Sequence, residues 1–213
     1  MNSNITEIYL IRHAEQLKIF NSEFLNNLSA NEAQIQNEKI TLTINGEKQA
    51  ETLSKIPELS NLDLLFSSSY SRAIATAKYI AYINNIDINI DGRLNERKLG
   101  DLNELKSLGK SKNLSFTKEQ LLNKNLKTKY GESHFEVKKR MQNFLTDILN
   151  NYINKKIALV SHGAAIKFLL SSWCKLDENC NLIYNGNILL INSPSVIKLC
   201  FSGDKLINIV QII

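Results

Sequence analysis

Short apolar runs alternate with longer amphipathic stretches along most of the chain. The apolar runs predict strands at 7–12, 62–66, 87–90, 156–160, 187–191, 196–201 and 206–212. Helices are predicted at 46–56, at 71–83 and from residue 134 to about residue 152. Strands that alternate with helices favour an α/β fold, with a mostly parallel central sheet covered by helices on both faces. The last strands follow one another through short turns, which predicts an antiparallel edge.

Two of the predicted helices have recognisable starts. Thr43 is a plausible N-cap for the first of them. Ser133 and Glu136 form the pattern of a capping box, in which each side chain accepts a hydrogen bond from the other residue's amide. His134 lies inside this box, and we expect it to be an exposed residue of the first turn.

The segments 17–40 and 97–130 fit no regular element well. No Pro/Gly/Ser-rich linker, repeat or second hydrophobic core is visible, so we expect a single domain, 1–213, with insertions at about 17–40 and 97–130. The second insertion is basic, and its lysines form either a solvated face or, in part, the mouth of a site. They are Lys98, Lys106, Lys110, Lys112, Lys118, Lys124, Lys127 and Lys129.

Composition narrows the class of protein. The 213 residues carry a net charge of +5, and 43% are hydrophobic, which is ordinary for a soluble globular chain. The chain lacks a dense Lys/Arg block with interleaved aromatics, so nucleic-acid binding is not expected. No secretory signal or membrane-spanning run is visible, so we expect a cytoplasmic protein that does not bind a membrane. The three cysteines, Cys174, Cys180 and Cys200, match no metal spacing and are expected to be free thiols.

Reactive or charged side chains follow four of the predicted strands. They are Arg12-His13-Ala14-Glu15, the segment from Ser67 to Arg72, Glu96, and Ser161-His162-Gly163. In a parallel sheet these points converge at one edge, where ligands bind. Arginine binds phosphate oxygens through paired hydrogen bonds, and the amides of the helix that begins at Gly163 attract anions. Arg72 in the first turn of a helix is unfavourable unless an anion lies beside it. The pattern therefore predicts a site for a phosphoryl group.

The same segments resemble a known family. Arg12-His13-Ala14-Glu15 is similar to the RHG motif of the histidine phosphatase superfamily, the phosphoglycerate-mutase-like proteins. Residues 42–50, 67–77 and 94–100 resemble that family's LTxxGxxQA, SSxxxRAxxTA and LxExxxG segments. Gly131-Glu132-Ser133 with Arg140, and Val160-Ser161-His162-Gly163, complete six motifs in the expected order.

The resemblance implies a three-layer fold and a role for each motif residue. His13 would attack phosphorus and form a phosphohistidine. Arg12, Arg72 and His162, with Gly163, would hold the phosphoryl oxygens. Glu96 would protonate the leaving oxygen and then activate water. Independently of the resemblance, Glu15 could contact the pocket or form a hydrogen bond to His13 or a nearby arginine, and Ser67 is a candidate supporting residue. No metal or organic cofactor is implied.

The sequence also departs from the family pattern. The glycine of the RHG motif is Ala14, which matters only if a positive φ is needed there. Gln16-Leu17-Lys18-Ile19 stands where many relatives have Thr-x-x-Asn, so the phosphate-binding asparagine is missing, and Asn21 is a candidate substitute. A second interpretation of Glu96 is a loop carboxylate paired with Arg93 or Arg97.

These observations predict a phosphomonoesterase that acts on a small-molecule phosphate ester or a phosphoprotein. One alternative is a cofactor-dependent phosphoglycerate mutase, although the tryptophan- and tyrosine-rich signatures of that branch are absent. Another is a non-catalytic relative that binds phospho-ligands. The substrate and the oligomeric state stay open.

Overall fold

A computed structural model of the chain describes residues 5–18, 28–109 and 115–213. The strands within this part are β1 (Ile5–Arg12), β2 (Leu64–Ser67), β3 (Ile88–Ile90), β4 (Lys156–Ser161), β5 (Lys175–Leu176), β6 (Leu182–Tyr184), β7 (Asn187–Leu189), β8 (Ser195–Ser202) and β9 (Lys205–Gln211). Six of them form the central sheet, in the order β3-β2-β4-β1-β8-β9. The strands β5, β6 and β7 form a separate antiparallel sheet.

The central sheet is parallel over four strands and antiparallel at one edge. β1 pairs in parallel with β4, β4 with β2, and β2 with β3. β8 runs antiparallel to β1, and β9 runs antiparallel to β8. The register places Arg12 opposite Ser161, so β1 and β4 end side by side. The predicted α/β fold with an antiparallel edge is confirmed.

Helices cover both faces of this sheet. The helices within the described residues are α1 (Ala30–Lys39), α2 (Ile44–Ser54), α3 (Ser71–Asn84), α4 (Leu102–Gly109), α5 (Phe116–Leu122), α6 (His134–Asn151) and α7 (Gly163–Leu170). Side chains of a strand alternate between the two faces. Ile8 and Leu10 of β1 therefore join the core formed with α6 and α7, whereas Tyr9 and Ile11 join the core formed with α2 and α3. The predicted three layers follow from this alternation.

The predicted helix starts are present. The Thr43 hydroxyl accepts a hydrogen bond from the Gly46 amide at 2.8 Å. Ser133 and Glu136 form the reciprocal capping box at the start of α6. These caps satisfy amides that have no partner within the helix.

Both predicted insertions contain helices, although their sequences fit no regular element well. α1 lies in the first insertion, and α4 and α5 lie in the second. α1 has no buried residue, and a helix that is polar all round has no apolar period to detect. Its capping box, Ser29 with Glu32, was the available signal. The segment 187–191 was predicted as part of the main sheet, but β7 pairs with β6 instead.

His134 is buried rather than exposed, which corrects a second expectation. Only 1% of its surface is accessible, because the first residue of α6 faces inward. Its Nε2 lies 2.8 Å from the Ser171 hydroxyl, and its ring centroid lies 4.6 Å from that of Phe168. Burial, together with the charge of Lys138, lowers the pKa of His134 from 6.5 to about 4.

This burial makes stability depend on pH. The unfolded chain binds a proton at position 134 more readily than the folded one, so the neutral His134 ring is compatible with full stability above pH 6.5, and stability is lost progressively as the pH falls from 6.5 to about 4. Lowering the pH from 7.5 to 4.5 should decrease the free energy of unfolding of both proteins. We expect this decrease to be about 2 kcal/mol smaller in the variant His134→Asn than in the wild type. Urea unfolding at both pH values measures this. Equal losses in the two proteins would contradict it.

No helix in the described ranges is long and apolar enough to cross a membrane. The cysteines Cys174, Cys180 and Cys200 are free, as expected.

Candidate active site

The carboxyl ends of β1, β2 and β4 meet at one edge of the sheet. The His13 amide, just past β1, donates to the Ser161 carbonyl at 3.1 Å. The Ser68 amide, just past β2, donates to the Val160 carbonyl at 3.0 Å. The segments that carry the predicted site residues are therefore hydrogen-bonded to one another.

Side chains from α2 and α3 hold the loop that follows β1. The Ala14 amide donates to the Thr76 hydroxyl at 3.1 Å, and the Glu15 amide donates to Gln49 Oε1 at 3.0 Å. Ala14 is fully buried and does not have a positive φ. Alanine in place of the motif's glycine therefore adds no backbone strain.

A close approach between this loop and α2 explains Gly46. A Cβ at that position would lie 2.0 Å from the Glu15 carbonyl oxygen, a distance that no side chain allows. The Glu15 carboxylate accepts hydrogen bonds from Thr43 Oγ1 at 2.7 Å and from Asn45 Nδ2 at 3.0 Å. The hydrogen bonds of Glu15 thus tie the loop to α2, instead of reaching His13 or an arginine as the sequence had suggested.

The His13 ring has a defined tautomer. Its Nδ1 lies 2.7 Å from the Ala14 carbonyl oxygen, which can only accept, so Nδ1 carries the proton. Its Nε2 then has the lone pair and lies 3.2 Å from Arg72 Nε. Burial, followed by the charge of Arg72, lowers the pKa of His13 to about 3. At neutral pH, Nε2 is therefore an unprotonated nitrogen able to act as a nucleophile.

Two arginines line a cavity together with His13. Arg72, in the first turn of α3, is 2% exposed, and its Nη1 donates to the Asn37 carbonyl at 2.6 Å. Arg12 donates from Nη1 to the Ile191 carbonyl at 2.7 Å. The Nε of Arg12 is buried and has no hydrogen-bond partner among the described residues.

His162 lies against His13. It is fully buried, and the two ring centroids are 5.0 Å apart. Its Nε2 lies 2.8 Å from the Ser68 hydroxyl, whereas its Nδ1 has no partner within the part of the chain that the structure describes. Burial and the nearby positive charges hold the pKa of His162 well below its ordinary value.

The Glu96 carboxylate caps α7. It accepts hydrogen bonds from the amides of Ala164 at 3.2 Å and Ala165 at 3.1 Å, and from the Arg97 amide at 2.8 Å. The sequence had predicted free amides at this helix start, but two of them donate to Glu96. The Glu96 carboxylate therefore lies at the N-terminus of α7, the helix end that favours negative charge.

The alternative interpretation of Glu96, an ion pair with a neighbouring arginine, is not what the structure shows. Arg93 binds Asp91 and Asp147 instead. The Arg97 guanidinium donates to Gln120 Oε1.

The loop that carries Glu96 is held by Arg140. This side chain pairs with Glu132 through two hydrogen bonds of 2.9 and 3.1 Å. It also donates to the carbonyls of Arg93 at 2.7 Å and Glu96 at 3.2 Å. The motif Gly131-Glu132-Ser133 with Arg140 therefore fixes the backbone of the segment beside α7.

A cavity of about 490 Å³ opens onto this site. Its lining includes Arg12, His13, Glu15, Gln16, Lys18, Asn37, Arg72, Glu96, Arg97, Leu99 and Ser193. Among these described residues four are basic and two are acidic, which favours an anionic ligand. Within the described ranges, no three His, Cys, Asp or Glu side chains are grouped so that they could hold a metal ion.

Some predicted residues lie elsewhere. The Ser67 hydroxyl is fully buried and donates to the Ser68 carbonyl. Lys98 lines a neighbouring cavity. Asn21, Lys110 and Lys112 lie outside the described residues. Lys18, four residues after Ala14 along the chain, is one of the basic residues that line the cavity.

Several supporting residues were not predicted. They are Gln49, Ser68, Thr76, Asn95 and Arg140. All five lie in the six motif segments, so polar side chains at fixed motif positions were the signal that could have identified them.

Gly163 lets Arg12 lie against the start of α7. A Cβ at position 163 would lie 3.2 Å from both Cζ and Nε of Arg12, so the guanidinium would have to move by a few tenths of an ångström. We expect Gly163→Ala to lower kcat/KM for a phosphate ester about tenfold, because small displacements of binding groups are costly. Steady-state kinetics measures this. The control is Gly92→Ala, whose Cβ meets its nearest atom, Asn95 Nδ2, at 3.8 Å. Equal kinetics in the two variants would refute the prediction.

Comparison with known proteins agrees with this geometry. The family model of the histidine phosphatase superfamily (branch 1) matches residues 8–188. A probable phosphoglycerate mutase GpmB of Escherichia fergusonii is 30% identical over 169 residues, which cover 78% of this chain and 74% of that protein. The corresponding Proteus mirabilis protein is 30% identical over 175 residues, with the same coverage.

Solved structures show the same fold. A mycobacterial glucosyl-3-phosphoglycerate phosphatase superposes with a TM-score of 0.70 at 18% identity, covering 98% of both chains. A phosphoglycerate mutase from Bacillus anthracis superposes with a TM-score of 0.69 at 19% identity, covering 99% of this chain and 94% of that one. At these identities the likeness establishes the fold alone. Because the family model matches most of the chain, from residue 8 to residue 188, the chain belongs to the histidine phosphatase superfamily.

Proposed function

We propose that this protein is a metal-independent phosphatase that hydrolyses a phosphate monoester through a phosphohistidine at His13. The substrate is a small-molecule phosphate ester or a phosphoprotein. One observation carries the proposal: the Nε2 lone pair of His13 lies beside the Arg72 guanidinium, among buried polar atoms that lack partners. Arg12 Nε and His162 Nδ1 are these atoms within the described residues, and a buried polar atom without a partner is costly unless a ligand satisfies it.

In the first step, Nε2 of His13 attacks phosphorus, and the bond between phosphorus and the ester oxygen breaks. The leaving oxygen takes a proton from Glu96, which lines the same cavity. Arg12, Arg72 and His162 stabilise the charge that spreads over the three equatorial oxygens. The product of this step is an alcohol and a phosphohistidine.

In the second step, water attacks the same phosphorus. Glu96 takes a proton from the water, the N–P bond breaks, and inorganic phosphate leaves. His13 regains its neutral form because the Ala14 carbonyl keeps the proton on Nδ1 throughout. Each reaction cycle thus consumes one water and requires no redox step.

A phosphoglycerate mutase is the second candidate, and the names of the curated relatives favour it. It would use the same phosphohistidine but return the phosphoryl group to an organic acceptor instead of water. The two functions differ only in the acceptor of the second step.

The partition of the phosphoryl group tests the proposal. The enzyme is supplied with an aryl phosphate and a chelator, with and without 3-phosphoglycerate. We expect inorganic phosphate to be the main phosphorus product in both cases. Transfer to 3-phosphoglycerate in excess of hydrolysis would establish the mutase instead. Loss of activity that Mg²⁺ or Zn²⁺ restores would contradict metal independence.

A further inference from the structure

The hydroxyl proton of Ser68 is already used in a hydrogen bond. The hydroxyl donates to Asn95 Oδ1 at 2.8 Å and accepts from the Tyr70 amide at 3.2 Å. Asn95 Oδ1 also accepts from the Ser69 amide at 2.9 Å, so the amide oxygen is fixed in place. With its proton directed at Asn95, the Ser68 oxygen can only accept from His162 Nε2, which lies 2.8 Å away.

This arrangement decides which nitrogen of His162 carries the proton. Nε2 must be the donor, so Nδ1 of the neutral ring has a lone pair. Nδ1 is buried without a partner among the described residues, on a ring whose centroid lies 5.0 Å from that of His13. A lone pair repels a phosphoryl oxygen, which also only accepts. His162 can therefore bind such an oxygen only if one proton is added.

We propose that Ser68, held by Asn95, is a positioning residue that fixes His162 with its lone pair on Nδ1, so that the site binds a dianionic phosphoryl group only together with one proton. This proposal rests on the proposed function and deepens it. A phosphate monoester, whose second pKa is about 6, can bring the proton as its monoanion. When the ligand stays a dianion at every pH of the experiment, it brings no proton, so His162 must take one from solvent as the ligand binds.

The charges around His162 explain why the proton arrives with the ligand. Burial is the main reason that a positive charge on His162 is disfavoured, and His13, Arg72, Arg140 and Arg12 add to its effect. Tyr70 is a further titratable neighbour, with its ring centroid 4.8 Å from that of His162, and the Glu96 carboxylate accepts from the amide of Ala164, two residues along the chain from His162. A bound dianion offsets the arginines and stabilises an imidazolium beside it.

Sulfate is a suitable probe because it stays a dianion from pH 5.5 to pH 9 and is not hydrolysed. A failure of the proposed hydrolysis would therefore leave this test intact. We expect the dissociation constant of sulfate, measured by calorimetry, to rise about tenfold per pH unit between pH 6 and 8, because one proton is taken up on binding. A constant that does not change with pH, or no sulfate binding at pH 5.5, would overturn the proposal.

Nuclear magnetic resonance reads the proton directly. The chain has three histidines, so protein labelled with ¹⁵N-histidine gives three imidazole patterns. His162 should show the Nε2–H tautomer in the free protein at pH 7.5 and two protonated nitrogens in the sulfate complex. A His162 ring that stays neutral in the complex would refute the proposal, and this measurement needs no variant.

Three variants locate the effect. In Ser68→Ala the tautomer of His162 is no longer fixed, so a neutral ring can donate from Nδ1 to sulfate. The dissociation constant of sulfate should then change by much less than tenfold per pH unit. Ser67→Ala, which removes a buried hydroxyl bonded to a backbone carbonyl, should keep the wild-type slope. Glu96→Gln should also keep it. A slope lost in Glu96→Gln would place the proton on Glu96 and overturn the assignment, as would an unchanged slope in Ser68→Ala.

Discussion

Replacement of His13 by alanine is expected to lower kcat for an aryl phosphate by about 10⁴-fold or more, because it removes the proposed nucleophile. Arg12 and Arg72 would still bind the phosphoryl group, but no nitrogen could form the covalent intermediate. Acid-sensitive, base-stable labelling of the protein by a ³²P-phosphate ester should disappear together with turnover. Steady-state assays and rapid-quench labelling measure the two effects.

A matched histidine controls for the loss of a buried ring. His134 is as buried as His13 but contacts Ser171 and Phe168 instead of the cavity. We expect His134→Asn to keep near-wild-type kcat at pH 7.5, where the ring is neutral in both the folded and the unfolded chain. Labelling that persists in His13→Ala would show that another residue is the nucleophile.

Replacement of Arg72 by lysine is expected to lower kcat/KM by about 10²- to 10³-fold, the usual cost of removing one charge-stabilising donor. The change keeps the positive charge but removes the planar fork that reaches both His13 Nε2 and the Asn37 carbonyl. Lysine presents a single ammonium group, so it cannot make both contacts and also bind a phosphoryl oxygen. Steady-state kinetics with an aryl phosphate measures the loss.

Arg93→Lys is the corresponding control. Arg93 binds Asp91 and Asp147, and it is not among the residues that line the cavity. Its replacement should leave kcat/KM within about twofold of the wild type, as for surface substitutions away from a site. If both arginine variants lost activity equally, the decrease would reflect stability instead of chemistry.

The sequence predicted the central sheet well because β1 and β4 are buried on both faces. Such strands appear as unbroken apolar runs, and the residues after them must meet at one edge. This reasoning brought together His13, Arg72 and His162, which the structure places in contact or nearly so. The α/β architecture was predictable for the same reason.

What could not be predicted depends on contacts between distant segments. α1 has no apolar face, so nothing in its periodicity distinguished it from a loop. The tautomer of His162 depends on Ser68 and Asn95, which lie far from it in the sequence but adjacent to it in space. Glu96 could be identified as chemically important, yet its position on the amides of α7 follows only from the path of its loop.

The hydrogen bond between Arg72 and α1 has a consequence for how this site can diverge. The acceptor on α1 is the main-chain carbonyl of Asn37, which every amino acid possesses. Side chains on this helix can therefore be exchanged while the contact to the arginine is kept. Asn37 also lines the cavity. Substitutions on α1 can therefore change the side chains that face a substrate while the backbone contact to Arg72 is kept, so substrate preference can change without loss of the phosphate-binding arginine.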